Sequence, residues 1–282
     1  MKKGKENSKK KKETKSKKSS FDKSTYFMIL LILLIVLLLL LAFNRHESTT
    51  FRIKNRINEI GESQKKDTDN YNTVGWIRVE GTNIDHPVII SRDGTYKEEV
   101  KQENYGWMNI KDAKFTNNMT VNGHNLLNLS STPKKSSKTF ERFESLMSFV
   151  YYDFAQENQY VQLTFNNNNY LYQIFAVSFM YNADFIKLPK EQISKQEQQD
   201  FLNVINERTI YKYDTKVDSS DEILNVVTCT RMFGDHGRTN FIVSAKKVPN
   251  NTKIKNKVTK TSKYNEVDKK LMGGGKNEVE KG

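Results

Sequence analysis

The chain's single cysteine, Cys229, lies in VTCTRMFGDHGRTNFIV (residues 227–243), nine positions before Arg238. A thiol attacks as the thiolate, and a free one titrates at about 8.5, so reactivity near neutrality needs a base or cations close by. Four histidines are available, at 46, 86, 124 and 236. His46 follows a long apolar run within a few residues and reads as solvated. His86 precedes a proline in NIDHPV, which forces extended backbone and reads as a strand or turn position. His124 ends NMTVNGH, where the glycine before it permits an unusual turn and presents the imidazole at a strand edge. His236 sits in the loop RMFGDHG and is the second candidate. Distance along the chain does not count against His124, because a cysteine and its base commonly meet only in the fold. If the chain after Cys229 is strand, loop and returning antiparallel strand, Arg238 comes back beside the sulfur. Its permanently charged guanidinium would there serve an oxyanion or a substrate carbonyl. The competing reading is an inert, packed cysteine, since free cysteine is among the most buried residue types.

Those three side chains need a rigid frame, and the middle of the chain predicts one made of strands. From Val74 the texture is short β-branched and aromatic runs: VGWIRVEGTNIDHPVII, NMTVNGH, YVQLTF, YLYQIFAVSFMY, EILNVVTCT and TNFIVSAKKV. Alternation puts Val161, Leu163 and Phe165 on one face, and Leu171, Phe175, Val177 and Phe179 on another. The asparagines at 166–169 join these two strands as a hairpin, because asparagine tolerates left-handed backbone. Two helices interrupt the strands. TFERFESLMSFV spaces Phe140, Phe143, Leu146 or Met147, and Val150 along one side; SKQEQQDFLNVINERTI opens with the capping box Ser194 and Glu197 and buries Phe201, Leu202 and Ile205. The prediction is a mostly β domain over 74–248, large enough for a real core and suited to a closed barrel.

Both ends differ in composition from this middle. Residues 1–25 form a lysine-rich tail, with eleven lysines against three acidic residues in the first 23. Residues 26–43, YFMILLILLIVLLLLLAF, carry no charge and as a helix would reach about 27 Å, close to a bilayer's hydrocarbon thickness. They predict a single uncleaved transmembrane anchor, the lysine excess before it placing the N-terminus in the cytoplasm and the rest of the chain outside. The tail's charge, beside such a run, is no footprint of nucleic-acid binding. Residues 44–73 predict a helical extension or stalk, with Phe51, Ile53, Ile57 and Ile60 near helical spacing. Residues 249–282, rich in lysine and asparagine with a triple glycine, predict a disordered tail. No phosphate-binding glycine loop, zinc-ligand spacing or internal repeat is present, so no cofactor or metal is expected.

Taken together, these segments resemble the sortases, class B in particular. The resemblance rests on the T-C of VVTCT at a strand end, the arginine of GRTNFIV and the upstream G-H of VNGHN. It also rests on GWIRVEGTNIDHPV (75–88), the FERFESL helix and the long helix at 194–208 before the cysteine strand. It spans residues 48 to 248. Asn122 stands where the family commonly has tyrosine, Arg231 where some class B members carry aspartate, and His86 where an aromatic is frequent. The resemblance implies a closed eight-stranded sortase-type β-barrel with an N-terminal helical extension, anchored in a Gram-positive cell membrane. It implies a cysteine transpeptidase that cuts surface proteins at a C-terminal N-P-x-T sorting motif and joins them to an amine of the peptidoglycan precursor or cross-bridge. Under it Cys229 forms a thioester, His124 protonates the leaving amine and deprotonates the incoming one, and Arg238 holds substrate and oxyanion. The alternatives are a cysteine peptidase or wall hydrolase using water as acceptor, and a tethered binding domain with an inert thiol.

Overall fold

The computed structural model describes residues 22, 24–40, 71–91, 105–108, 114–188, 192–234, 239–252 and 255–274. Two compact units are distinguished, Met1–Arg52 and Ile53–Gly282. Within the first, helix α1 covers residues 24–40, and its apolar side chains from Tyr26 to Leu40 are all 43–70 % exposed. Among the described residues no helix is long and apolar enough to cross a membrane. The expected span at 26–43 is therefore not recovered as one, its end at 41–43 lying outside the described residues. Of the expected stalk at 44–73, residues 44–70 also lie outside them, and 71–73 belong to the first strand.

The second unit is a barrel. Its strands are β1 (Tyr71–Val79), β2 (Asp85–Ser91), β3 (Gly106–Trp107), β4 (Asn118–Asn122), β5 (Tyr160–Phe165), β6 (Asn168–Tyr181), β8 (Ile223–Thr230) and β9 (Thr239–Val248). They close in the order β1-β2-β3-β4-β8-β9-β6-β5. The predicted eight-stranded closed barrel is thus what forms, and every long strand expected from alternation is present. Val161, Leu163 and Phe165 are wholly buried in its interior. The β5–β6 hairpin turns through Asn166 and Asn167 at φ of 47° and 62°, the left-handed conformations that asparagine accepts.

On β6 the expected face is wrong. Tyr172 and Ile174 join Val177 in the barrel interior, whereas Phe175 and Met180 belong to a separate outer cluster. The cause is a bulge between Ile174 and Ala176, where pairing with β9 shifts and the alternation changes phase.

That outer cluster is where the helices of the 182–208 segment dock, while those of 143–157 pack against the main core. Helix α2 (Tyr152–Glu157) follows a 3-10 helix (Phe143–Val150) that is buried throughout. Helix α3 (Asn182–Phe185) ends β6, and α4 (Lys195–Arg208) starts on the predicted capping box, with Ser194 and Glu197 bonding reciprocally. Phe201, Leu202 and Ile205 of α4 then cover Val227 of β8 and Ile242 of β9.

The C-terminal segment corrects a second expectation. In place of disorder from 249, Val258–Lys260 forms β10, paired antiparallel with β7 (Tyr211–Tyr213), and Tyr264–Gly274 forms helix α5. Val258, Tyr264 and Val267 lie in the main core, and Thr261 caps the junction by donating to Thr209 O at 2.7 Å. Averaged over the segment the composition is polar, but Tyr264, Val267 and Leu271 recur at helical spacing and suffice to dock one face.

Candidate active site

Two neighbouring strands carry the candidate base and nucleophile. β4 and β8 run parallel, with Asn118 opposite Ile223 and Asn122 opposite Val227. Such a pair cannot be made by a hairpin, so its register depends on side chains. A buried polar row supplies it: Asn225 Nδ2 donates to Asn118 Oδ1 at 2.9 Å and Ser244 of β9 donates to Asn225 Oδ1 at 2.8 Å. Met119 and Val121 point inward, as do Leu224 and Val226. Alternation therefore sends Asn122 and then His124 to the outer face, and Val227 and then Cys229 to the same face.

The chains stay together past the end of β4. Gly123 N donates to Val227 O at 2.9 Å and Thr228 Oγ1 to Gly123 O at 2.7 Å. Asn125 Nδ2 donates to Cys229 O at 3.0 Å, and the thiol faces Asn125 O at 3.6 Å. His124 is thus bracketed by two residues tied to 227–229, so its backbone runs alongside that of Cys229. The glycine before it is needed for space, since a Cβ there would meet the Phe143 ring at 2.0 Å. Its backbone is not in the left-handed region, so the turn expected of it is not what selects glycine.

Trp107 and a buried carboxylate complete the setting, and neither was expected. The His124 ring packs on Trp107 with centroids 4.5 Å apart and planes at 36°. Beneath the His124 loop, Asn125 and Asn128 are locked in mutual bonds, Asn128 N donating to Asn125 Oδ1 at 2.9 Å and Asn125 Nδ2 to Asn128 O at 3.0 Å. Glu144 is fully buried; its Oε2 accepts from Arg142 N at 2.7 Å and its Oε1 from Leu126 N at 3.4 Å, with Arg142 Nη1 at 3.8 Å. In sequence it sits between the apolar positions of FERFESL, where a charged residue reads as the solvated side of a helix. Trp107 sits on a strand of two residues, too short for alternation to mark.

The remaining candidates fall outside this group. His86 stacks on Phe143 at 6.0 Å and burial lowers its pKa, which suits the packing role read from its sequence. His236 and Arg238 lie outside the described residues; β9 begins at Thr239, opposite Thr230. Among the described residues no cluster of three or more His, Cys, Asp or Glu could hold a metal.

Burial pushes the Cys229 thiol above its ordinary range, offset by backbone hydrogen bonding at Asn125 and by the charge of Arg231, while Glu144 adds to the rise. Alkylation by iodoacetamide should rise with pH through and beyond the usual thiol range near 8.5. A rate already at its plateau at pH 6 would mean a stable thiolate and contradict this.

The comparisons agree with the geometry. A profile of the sortase domain matches residues 77–248. Sortase B of Listeria monocytogenes is 27 % identical over 179 residues, covering 61 % of this chain and 67 % of that protein. The crystal structure of Clostridium perfringens sortase B superposes with a TM-score of 0.54 at 23 % identity, covering 67 % of this chain and all of the other. A Staphylococcus aureus sortase B–substrate complex gives a TM-score of 0.52 at 18 % identity, covering 67 % and 84 % respectively. The barrel, the cysteine at the end of β8 and the family match lead to one conclusion: this chain belongs to the sortase family of cysteine transpeptidases.

Proposed function

We propose that this sortase cleaves a C-terminal sorting motif of the N-P-x-T type after its threonine and transfers the acyl part to an amine of the peptidoglycan precursor or cross-bridge. What supports the reading is that the backbone on either side of His124 is tied to residues 227–229 at matching ends of β4 and β8. His124 takes the thiol proton as Sγ attacks the threonine carbonyl carbon. The resulting imidazolium gives that proton to the departing amine when the peptide C–N bond breaks, leaving a thioester. An incoming amine then attacks the thioester, loses a proton to His124, and releases the Cys229 sulfur. Arg238 is assigned to the oxyanion and the substrate, its fixed charge matching what develops there.

The domain plan follows the same reading. Residues 1–25 are a cytoplasmic lysine-rich tail, 26–43 a single anchor in a Gram-positive cell membrane, 44–73 a stalk and 74–248 the external catalytic domain. Supporting the anchor are the uncharged run at 26–43 and the exposure of every apolar side chain of α1 from Tyr26 onward, a surface that water disfavours. Surface proteins bearing the motif are the donors, and nucleic acid is no partner.

The test is product identity. Residues 44–282, purified and mixed with an N-P-x-T peptide, should give an amine-linked product when triglycine is added, in proportion to its concentration. The same hydrolysis product at the same yield with and without triglycine would assign the protein to the peptidases instead.

A further inference from the structure

The face that carries Cys229 continues across the next two strands as one row. Cys229 is opposite Asn240 in the β8–β9 register, and Asn240 is opposite Met180 in the β6–β9 register. The flanking residues fix the direction of these side chains. Phe241 lies in the barrel core and Ile242 in the outer cluster with Val227, so Asn240 shares the outer face with Cys229. Directly opposed residues on antiparallel strands place their Cβ atoms roughly 4.5–5.5 Å apart. A carboxamide is therefore fixed beside the thiol, half-buried.

Its orientation is set from the other side. Asn240 Nδ2 donates to Asn182 Oδ1 at 3.3 Å, where Asn182 opens α3. That bond uses one of the two N–H groups on Nδ2, and the second remains to donate. A peptide whose scissile carbonyl sits over Cys229 therefore lies against Asn240 on the same face.

Resting on the transpeptidase reading above, we propose that Asn240 is a substrate-contacting donor, its second Nδ2–H directed at the scissile threonine carbonyl and strengthening as that oxygen becomes an oxyanion, with Asn182 as the residue that positions it. A neutral amide suits the place, since it supplies a fixed dipole without a second charge beside a thiol that must ionise during attack.

The experiment compares Asn240→Ala, Asn240→Asp and Asn182→Ala with the wild type, all as residues 44–282. The readouts are acyl-enzyme formation from an N-P-x-T peptide, iodoacetamide alkylation of Cys229, and thermal melting. For N240A the expected result is a kcat lower by about 10- to 100-fold with KM changed less than about threefold. N240D should lose at least as much, because it replaces the donor by an anion. N182A should lose less, because it frees the amide without removing it. Alkylation should stay within about twofold throughout, as iodoacetamide makes no use of an oxyanion donor. An N240A enzyme that keeps kcat within twofold, or whose loss is matched in alkylation or melting, overturns the inference. A wild type that forms no acyl-enzyme overturns the transpeptidase reading beneath it, and an active wild type with an unaffected N240A overturns this inference alone.

Discussion

Replacing Cys229 by alanine is expected to abolish peptide cleavage and amine transfer together, lowering kcat by more than about 10⁴-fold in a steady-state peptide assay. The size follows from the division of labour. Without the sulfur no thioester forms, so water or amine must attack the peptide carbonyl unaided, and the remaining groups only bind and polarise it. His124→Ala should cost less, on the order of 10²- to 10⁴-fold, because the thiol survives and only its proton acceptor is lost. Folding should be unaffected by the first change, since Cys229 is only half-buried and the hydrogen bond of its thiol to Asn125 O is a weak one. Cleavage by C229A at wild-type rate would remove the nucleophile from the account. A deficit shared with the melting transition would show instead that the thiol is structural.

The second large effect is on stability, at Glu144. Its carboxylate has no exposed surface and is held by two backbone N–H groups and by Arg142, itself only 17 % exposed. Removing it leaves the two backbone donors without their acceptor and takes an ion-pair partner from a partly buried guanidinium. Glu144→Ala should therefore destabilise the domain by about 3 kcal/mol. The effect should appear as a lower midpoint in urea with an unchanged slope. Glu144→Gln keeps the shape and one acceptor and should cost about half as much. The same substitution tests the electrostatics of the site. The charge of Glu144 is one of the influences holding the Cys229 thiol up, so E144Q should move the alkylation profile toward lower pH. A shift toward higher pH, or a variant as stable as the wild type, would contradict the role given to this carboxylate.

The contrast between these two residues shows what the sequence makes legible. Cys229 stands out by type: a lone thiol at the end of an alternating strand, with a histidine after a glycine on another. The same local logic reveals β4, β5, β8 and β9, the turn at Asn166 and Asn167, and the capped start of α4, because each depends on neighbours in sequence. Glu144 is hidden because Leu126, from the loop after β4, reaches it only through the tertiary fold, and between apolar positions its charge argues for water. Asn240 is hidden for a related reason, since only the strand register sets it opposite Cys229. The face of β6 is not legible because a bulge changes the phase of alternation without any mark in composition. The order after 249 is not legible because three apolar residues at helical spacing outweigh a polar average once a docking surface exists. Gly123 is legible as a special position, but its reason is tertiary, its missing side chain making room for the Phe143 ring.

The central claim is that Cys229, with His124 beside it, carries the acyl group between donor and acceptor. It is tested most directly by mass spectrometry of residues 44–282 incubated with an N-P-x-T peptide in the absence of amine. The account predicts a mass increase equal to the peptide up to its threonine, located on Cys229 by proteolytic mapping and released by hydroxylamine as the threonyl hydroxamate. Continued turnover of the peptide with Cys229 unmodified, or an adduct on any other residue, would contradict it.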